Sequence, residues 1–117
     1  MDPAAISRAR HVVAEQLRRW RCADPHDAAL VLSELVTNAV VHAGGAVRIT
    51  VTRRGEHVRI DVHDNGSGRP HLRAHSTNPG GLGLHIVDQL SERWGSQPTA
   101  TGKLVWAVVS CGDERPR

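Results

Sequence analysis

The chain of 117 residues has no Phe, no Tyr, one Met and three Trp. Proteins that grip single-stranded nucleic acid need rings on which bases stack, and three Trp leave little of that platform. Nor is there a basic run: the formal net charge is +3 and the sequence pI about 9.6, but the arginines are scattered. Direct nucleic-acid binding is therefore not expected, whereas a mildly basic balance suits a chain that holds polyphosphate or meets an acidic partner. Cysteine is also scarce. Cys22 and Cys111 stand near opposite ends without metal-type spacing, so both read as free thiols, with Cys22 a small buried hydrophobe. No N-terminal apolar segment resembles a signal peptide or a membrane span. These absences point to a soluble cytoplasmic protein without membrane contact, of a length that allows one domain with its own core.

What is present is clear periodicity. Ile6, Ala9, Val13, Leu17 and Trp20 make one apolar face of a first helix, with Arg8, Arg10, Glu15, Arg18 and Arg19 opposite. A second helix is expected to start near Pro25, with Asp24 as cap and Asp27 at the positive dipole end, and to run to about Val41 or His42 before Gly44-Gly45. Its C-terminal half carries Glu34, Asn38 and His42 four apart, a polar stripe on a helix otherwise filled by Leu32, Leu35, Val36, Ala39 and Val40. Such a stripe faces either a ligand or solvent along one edge.

Strict alternation follows. Val47, Ile49 and Val51, a turn at Arg54-Gly55, then Val58, Ile60 and Val62 predict a hairpin with one buried face. One step further, Asp64 falls in the buried phase as the strand ends, while His57 and His63 fall on the outward phase. A carboxylate in that position needs a partner, or else caps its own turn in Asp64-Asn65-Gly66. His71 to Pro79 lacks hydrophobic periodicity and reads as a mobile loop. Gly80-Gly81-Leu82-Gly83-Leu84 then opens a helix with Leu82, Ile86, Val87, Leu90 and Trp94 on its apolar side, ending at Gly95. Free N–H groups at such an entry suit a phosphate. Leu104 to Val109 is an unbroken apolar run, expected as a central strand covered on both faces.

Common nucleotide signatures fail. Gly102-Lys103 has Gln97 where a P-loop needs its first glycine and Leu104 where it needs Ser or Thr, and Gly81-Leu82-Gly83 has Ile86 at the third glycine of a dinucleotide fingerprint. His71 and His75 have no Cys or carboxylate near them, which argues against zinc.

Taken together, Glu34-x-x-x-Asn38-Ala39-x-x-His42, Asp64-x-Gly66-x-Gly68-x-Pro70 and Gly81-Leu82-Gly83-Leu84 resemble the N box and the two glycine boxes of the superfamily of gyrase-type, chaperone and histidine-kinase ATPases. Within it the chain is similar to the anti-sigma regulatory factor serine kinases, in particular small actinobacterial-type ATP-binding proteins. Ser33-Glu34-Leu35-Val36-Thr37-Asn38-Ala39, Arg93-Trp94-Gly95 and Gly102-Lys103-x-Val105-Trp106 carry that likeness, which covers about residues 3–109.

The resemblance implies an α+β fold, a two-layer α/β sandwich of the Bergerat type with helices on one face of a mixed, mainly antiparallel sheet. Its ATPase domain would span residues 3–110, followed by a charged flexible tail over 111–117. It implies ATP and Mg²⁺, with Asn38 as the metal ligand and Glu34 as general base. It implies that Asp64 accepts from the adenine amino group, that Gly66 and Gly68 let the base approach, and that Gly81, Leu82, Gly83 and Leu84 face the phosphates, with His42 closing the N-box stripe. His71 to Pro79 would be the lid, where Arg69 or Arg73 reaches phosphate. The implied partners are a sigma factor and a STAS-type anti-anti-sigma protein phosphorylated on serine, and a homodimer is an allowed arrangement. Three departures are visible: Leu104 stands where a pocket threonine is expected, the chain begins where the family has made a first strand, and the lid is short. They motivate an alternative, an ATP-responsive protein-binding regulator without significant kinase activity.

Overall fold

The computed structural model describes residues 3–43, 47–65 and 79–112. Gly44-Gly45, Gly66, Gly68, Arg69, the expected lid apart from Pro79, and residues 113–117 lie outside that description.

Helix α1 spans Pro3–Arg19 and packs the expected face inward: Val13 and Leu17 are buried, with Ile6, Ala9 and Trp20 against the same cluster. Helix α2, Pro25–Ala43, begins where Pro25 predicts, and the Asp27 N–H reaches the Asp24 carbonyl at 3.2 Å. Ala28, Val31, Leu32, Leu35, Val36 and Ala39 are all buried, so α2 is enclosed around most of its circumference. Burying each such Val or Leu contributes about 1.5–3 kcal/mol.

Strands β1, Val47–Arg54, and β2, His57–Asp64, form the expected hairpin. Arg54 pairs with His57, so the turn sits on Gly55-Glu56, one residue later than the sequence suggests, and Gly55 takes a φ of 59° that glycine accepts without strain. Helix α3 covers Pro79–Leu90, and strands β3, Arg93–Pro98, and β4, Lys103–Ser110, complete a sheet of order β1-β2-β4-β3. Among the described residues every pairing is antiparallel, not mixed, because tight turns join β1 to β2 and β3 to β4 and need no crossover. Val58, Ile60 and Val62 of β2 and Val105, Ala107 and Val109 of β4 form the sheet's side of a two-layer core, and the helices lie on that face.

Three sequence expectations are corrected here. The helix expected to reach Gly95 stops at Leu90, and Trp94 and Gly95 belong to β3. Ser91 N–H closes the last helical turn on Val87, and Glu92 N–H already bonds Val108 of β4 at 2.8 Å. Trp94 falls four residues after Leu90, a spacing that imitates a helix, while Gly95 is small because the Trp106 ring lies over it: a Cβ there would sit 2.9 Å from that ring. Second, β4 is interior but helices cover only one of its faces. On the other, Trp106 and Leu104 remain half-buried, and the Arg59 guanidinium stacks 4.8 Å from the Trp106 ring centroid. Third, Cys22 and Cys111 are not free thiols. They form a disulfide, both 1% exposed, that joins the α1–α2 connection to the end of β4, where Ala23 N–H also bonds the Cys111 carbonyl at 2.7 Å. The ordered body therefore includes Cys111 and does not yield to a tail there.

A crosslink between residues 89 apart restricts the unfolded chain strongly. Its reduction, or Cys22→Ala with Cys111→Ala, is expected to lower unfolding free energy by about 2–4 kcal/mol, read from denaturant midpoints. Thiol titration of the unreduced protein in guanidinium should find no reactive thiol; two would remove the crosslink from the account.

Candidate functional site

Helix α2 places Glu34 and Asn38 one turn apart on one side, about 6 Å along the axis. Asn38 is 2% exposed, and among the described residues neither Oδ1 nor Nδ2 has a hydrogen-bond partner. An amide left unfilled in a buried place forfeits about 1–3 kcal/mol per group, so the position favours a polar partner. An amide oxygen is a hard ligand of the kind Mg²⁺ accepts, and Mg²⁺ completes its octahedron with waters and substrate phosphates, so Asn38 alone fits as its protein contact. Glu34 is half-buried, and burial raises its carboxyl above the ordinary 4.5, an effect that the nearby Arg10 guanidinium partly offsets. A buried amide at Asn38 and a carboxyl tuned upward at Glu34 are the features by which this side of α2 differs from a solvated helix edge. His42 lies in the last turn of α2, and its side chain is outside the description.

The end of β2 supplies the second wall. Asp64 is fully buried on the helix-facing side, as the alternation predicts, while His57 is exposed and bonds Glu92 at 2.7 Å. His63 is half-buried, not solvated, and shares a 2.9 Å hydrogen bond with the Thr99 hydroxyl, tying β2 to the β3–β4 turn. The partner that Asp64 requires includes a residue that sequence reasoning passed over. Lys103, directly opposite it on β4, is 4% exposed with Nζ 3.4 Å from Asp64 Oδ2. Lys103 shares the phase of Val105, Ala107 and Val109, a signal hidden because the apolar run shows no alternation.

The same register moves Leu104 away from the site. It pairs with His63 on the outer face, so Leu104 does not line the surroundings of Asp64. Gly81 and Leu82 fall in the first turn of α3, where backbone N–H groups lack helical partners, Gly83 opens the next turn, and Leu84 is 1% exposed. Helix α3 packs against α2. Gly66 and Gly68 lie outside the described residues. A separate depression of about 530 Å³ lies on the outer sheet face among Arg54, His57, Arg59, Asp61 and Arg93, on the side opposite Asp64. Among the described residues no helix is long and apolar enough to cross a membrane.

Comparison with known proteins bears on the fold and the family. The family model described as histidine kinase-like ATPase domain matches residues 1–109. Similar proteins include the signal transduction histidine-protein kinase AfsQ2 of Streptomyces coelicolor, 33% identical over 66% of this chain and 17% of its own length. The sensor histidine kinase BtsS of Escherichia coli is 35% identical over 57% of this chain and 12% of its own. Among solved structures, the histidine kinase domain of a blue-light activated histidine kinase from Erythrobacter litoralis superposes with a TM-score of 0.55 and 26% identity, covering 73% of this chain and 43% of that one. The chain thus spans less than a fifth of the two curated relatives and under half of the solved structure.

Proposed function

Because the chain belongs to the histidine kinase-like ATPase domain family, we propose that it binds ATP with Mg²⁺ and acts as a regulatory serine kinase of the anti-sigma type. In this reading it phosphorylates a STAS-type anti-anti-sigma protein and sequesters a sigma factor. The observation that carries the reading is the pairing on α2 of a buried, unfilled Asn38 amide with a half-buried Glu34 whose carboxyl is shifted upward.

The residues divide the work. Asp64 accepts from the adenine amino group, and the first-turn N–H groups of α3 at Gly81 and Leu82 hold phosphate oxygens, with Gly83 beside them leaving room for the approach. Asn38 would hold Mg²⁺, which when bound neutralises phosphate charge. Glu34, one turn away, takes the proton from the partner's serine hydroxyl as its oxygen bonds to the γ-phosphorus and the bond to the β–γ bridging oxygen breaks, releasing ADP. A carboxyl whose proton affinity is raised by burial is a better proton acceptor than an ordinary one. ATP is supplied in the cytoplasm, where we place the chain; a disulfide is uncommon in that reducing compartment, and burial of both cysteines slows the reduction of this one.

A second reading is favoured by the relatives, which are histidine kinases: the chain would be the ATP-binding part of a phosphohistidine system. Calorimetry and labelling separate them. ATP is expected to bind with micromolar affinity, on the order of 8 kcal/mol, and Asn38→Ala should abolish the Mg²⁺ dependence while leaving Mg²⁺-free binding intact. Incubation with γ-labelled ATP and a STAS-type protein should leave acid-stable phosphoserine. Acid-labile label on histidine would establish the second reading, and ATP binding without any transfer would leave a nucleotide-responsive regulator.

A further inference from the structure

Lys103 is charged, 4% exposed and lies 3.4 Å from Asp64 Oδ2, yet among the described residues its Nζ has no hydrogen-bond partner. At this distance the charges attract without an N–H aligned on the oxygen. An ammonium carries three donors, and leaving them unfilled in a buried place is costly. Gly102 is part of the arrangement: a Cβ there would overlap the Asp64 carbonyl oxygen and come within 2.6 Å of Asn65 Cα, so the missing side chain lets β4 start hard against the end of β2. The fold thus sets a buried donor with spare capacity beside the carboxylate assigned to the base.

Resting on the reading above, in which Asp64 accepts from the adenine amino group, we infer that Lys103 is a second contact to the base, its ammonium donating to a ring nitrogen that flanks that amino group. Adenine offers a donor, the 6-amino group, with acceptors on either side at N1 and N7. A carboxylate beside an ammonium is the complement of that edge. Guanine inverts the Watson–Crick half of it, setting O6 against the carboxylate and N1–H against the ammonium. The pair Asp64–Lys103 is then what selects adenine.

The test is calorimetric titration of the parent protein with ATP, 1-deaza-ATP and 7-deaza-ATP, each with Mg²⁺. Both analogues keep the amino group and delete one ring acceptor. One of them is expected to bind about 10–100-fold more weakly than ATP, the cost of removing one partner from a charge-assisted hydrogen bond, and which one it is identifies the nitrogen. In Lys103→Met the difference between that analogue and ATP should shrink to near parity. If Lys103→Met does not fold, the comparison on the parent protein decides. Equal affinities for ATP and both analogues overturn the lysine contact and leave the ATP site standing. A penalty that persists in folded Lys103→Met overturns it too, since another donor then makes the bond. Failure of the parent protein to bind ATP removes the nucleotide reading itself, and this contact with it.

Discussion

Asp64→Ala is expected to lower the melting temperature by roughly 10–30 °C before any nucleotide is considered. The Lys103 ammonium lies 3.4 Å from the Asp64 carboxylate, with the two residues 4% and 0% exposed. Forming a buried pair gains little net free energy, because desolvating both ions offsets their attraction. Breaking one is different: removing the carboxylate leaves a charge with nothing to balance it, at a cost of about 3–5 kcal/mol. In a domain of this size each kcal/mol moves the midpoint by roughly 3–6 °C. The double variant Asp64→Ala with Lys103→Met removes both charges and should recover much of the loss, giving a large positive coupling in a thermal-denaturation cycle. If Asp64→Ala and the double variant melt together within error of the parent, the pair is not buried and the site has been misplaced. Asp64→Asn keeps the shape of the side chain and belongs beside these as the variant in which nucleotide affinity is read.

Asp64 also marks how far residue patterns carried. Period-two alternation located both arms of the hairpin and put Asp64 on the inner face, because in a half-buried strand side-chain direction follows directly from position. The start of α2 and the four-residue spacing of Glu34 and Asn38 were legible in the same way, but spacing left open whether that stripe meets solvent, and only the packing shows Asn38 buried. Lys103 stayed hidden although it obeys the same alternation, since Leu104, Trp106 and Val108 fill the other phase of β4 and erase the contrast that would have revealed it. Leu104 was placed near the site by family likeness, and only the pairing with His63 shows that it faces away. Trp94 misled because strand and helix both permit an apolar residue four after Leu90, and the arbiter, pairing of Arg93 to Pro98 with β4, is a long-range contact. The disulfide was illegible for a related reason: two cysteines 89 apart carry no local spacing, and only the chain's return of β4 beside the α1–α2 connection makes them neighbours.

Glu34→Gln should move catalysis and stability in opposite directions. As general base Glu34 contributes about 10²–10⁴-fold, so the amide variant should transfer phosphate to a STAS-type substrate that much more slowly, with ATP affinity little changed. Its effect on stability follows from the direction of the shift. Burial raises the folded-state carboxyl above 4.5, with Arg10 opposing, so the unfolded chain releases its proton at lower pH than the folded one. Well below 4.5 both states hold the proton and Glu34 contributes no pH dependence. As pH rises through the interval between the unfolded and folded values the folded state loses stability, and above the folded value that penalty is constant. Glutamine has no proton to release, so Glu34→Gln should melt higher than the parent at neutral pH, and the gain should vanish in acid. Arg10→Gln removes the opposing charge and should push the acid limb of the parent's kcat/KM profile to higher pH. A variant Glu34→Gln that is both as active as the parent and no more stable at neutral pH would show that Glu34 is neither the base nor desolvated, whereas slow transfer with a raised melting point is the signature of a carboxylate held at a cost to the fold for the sake of the reaction.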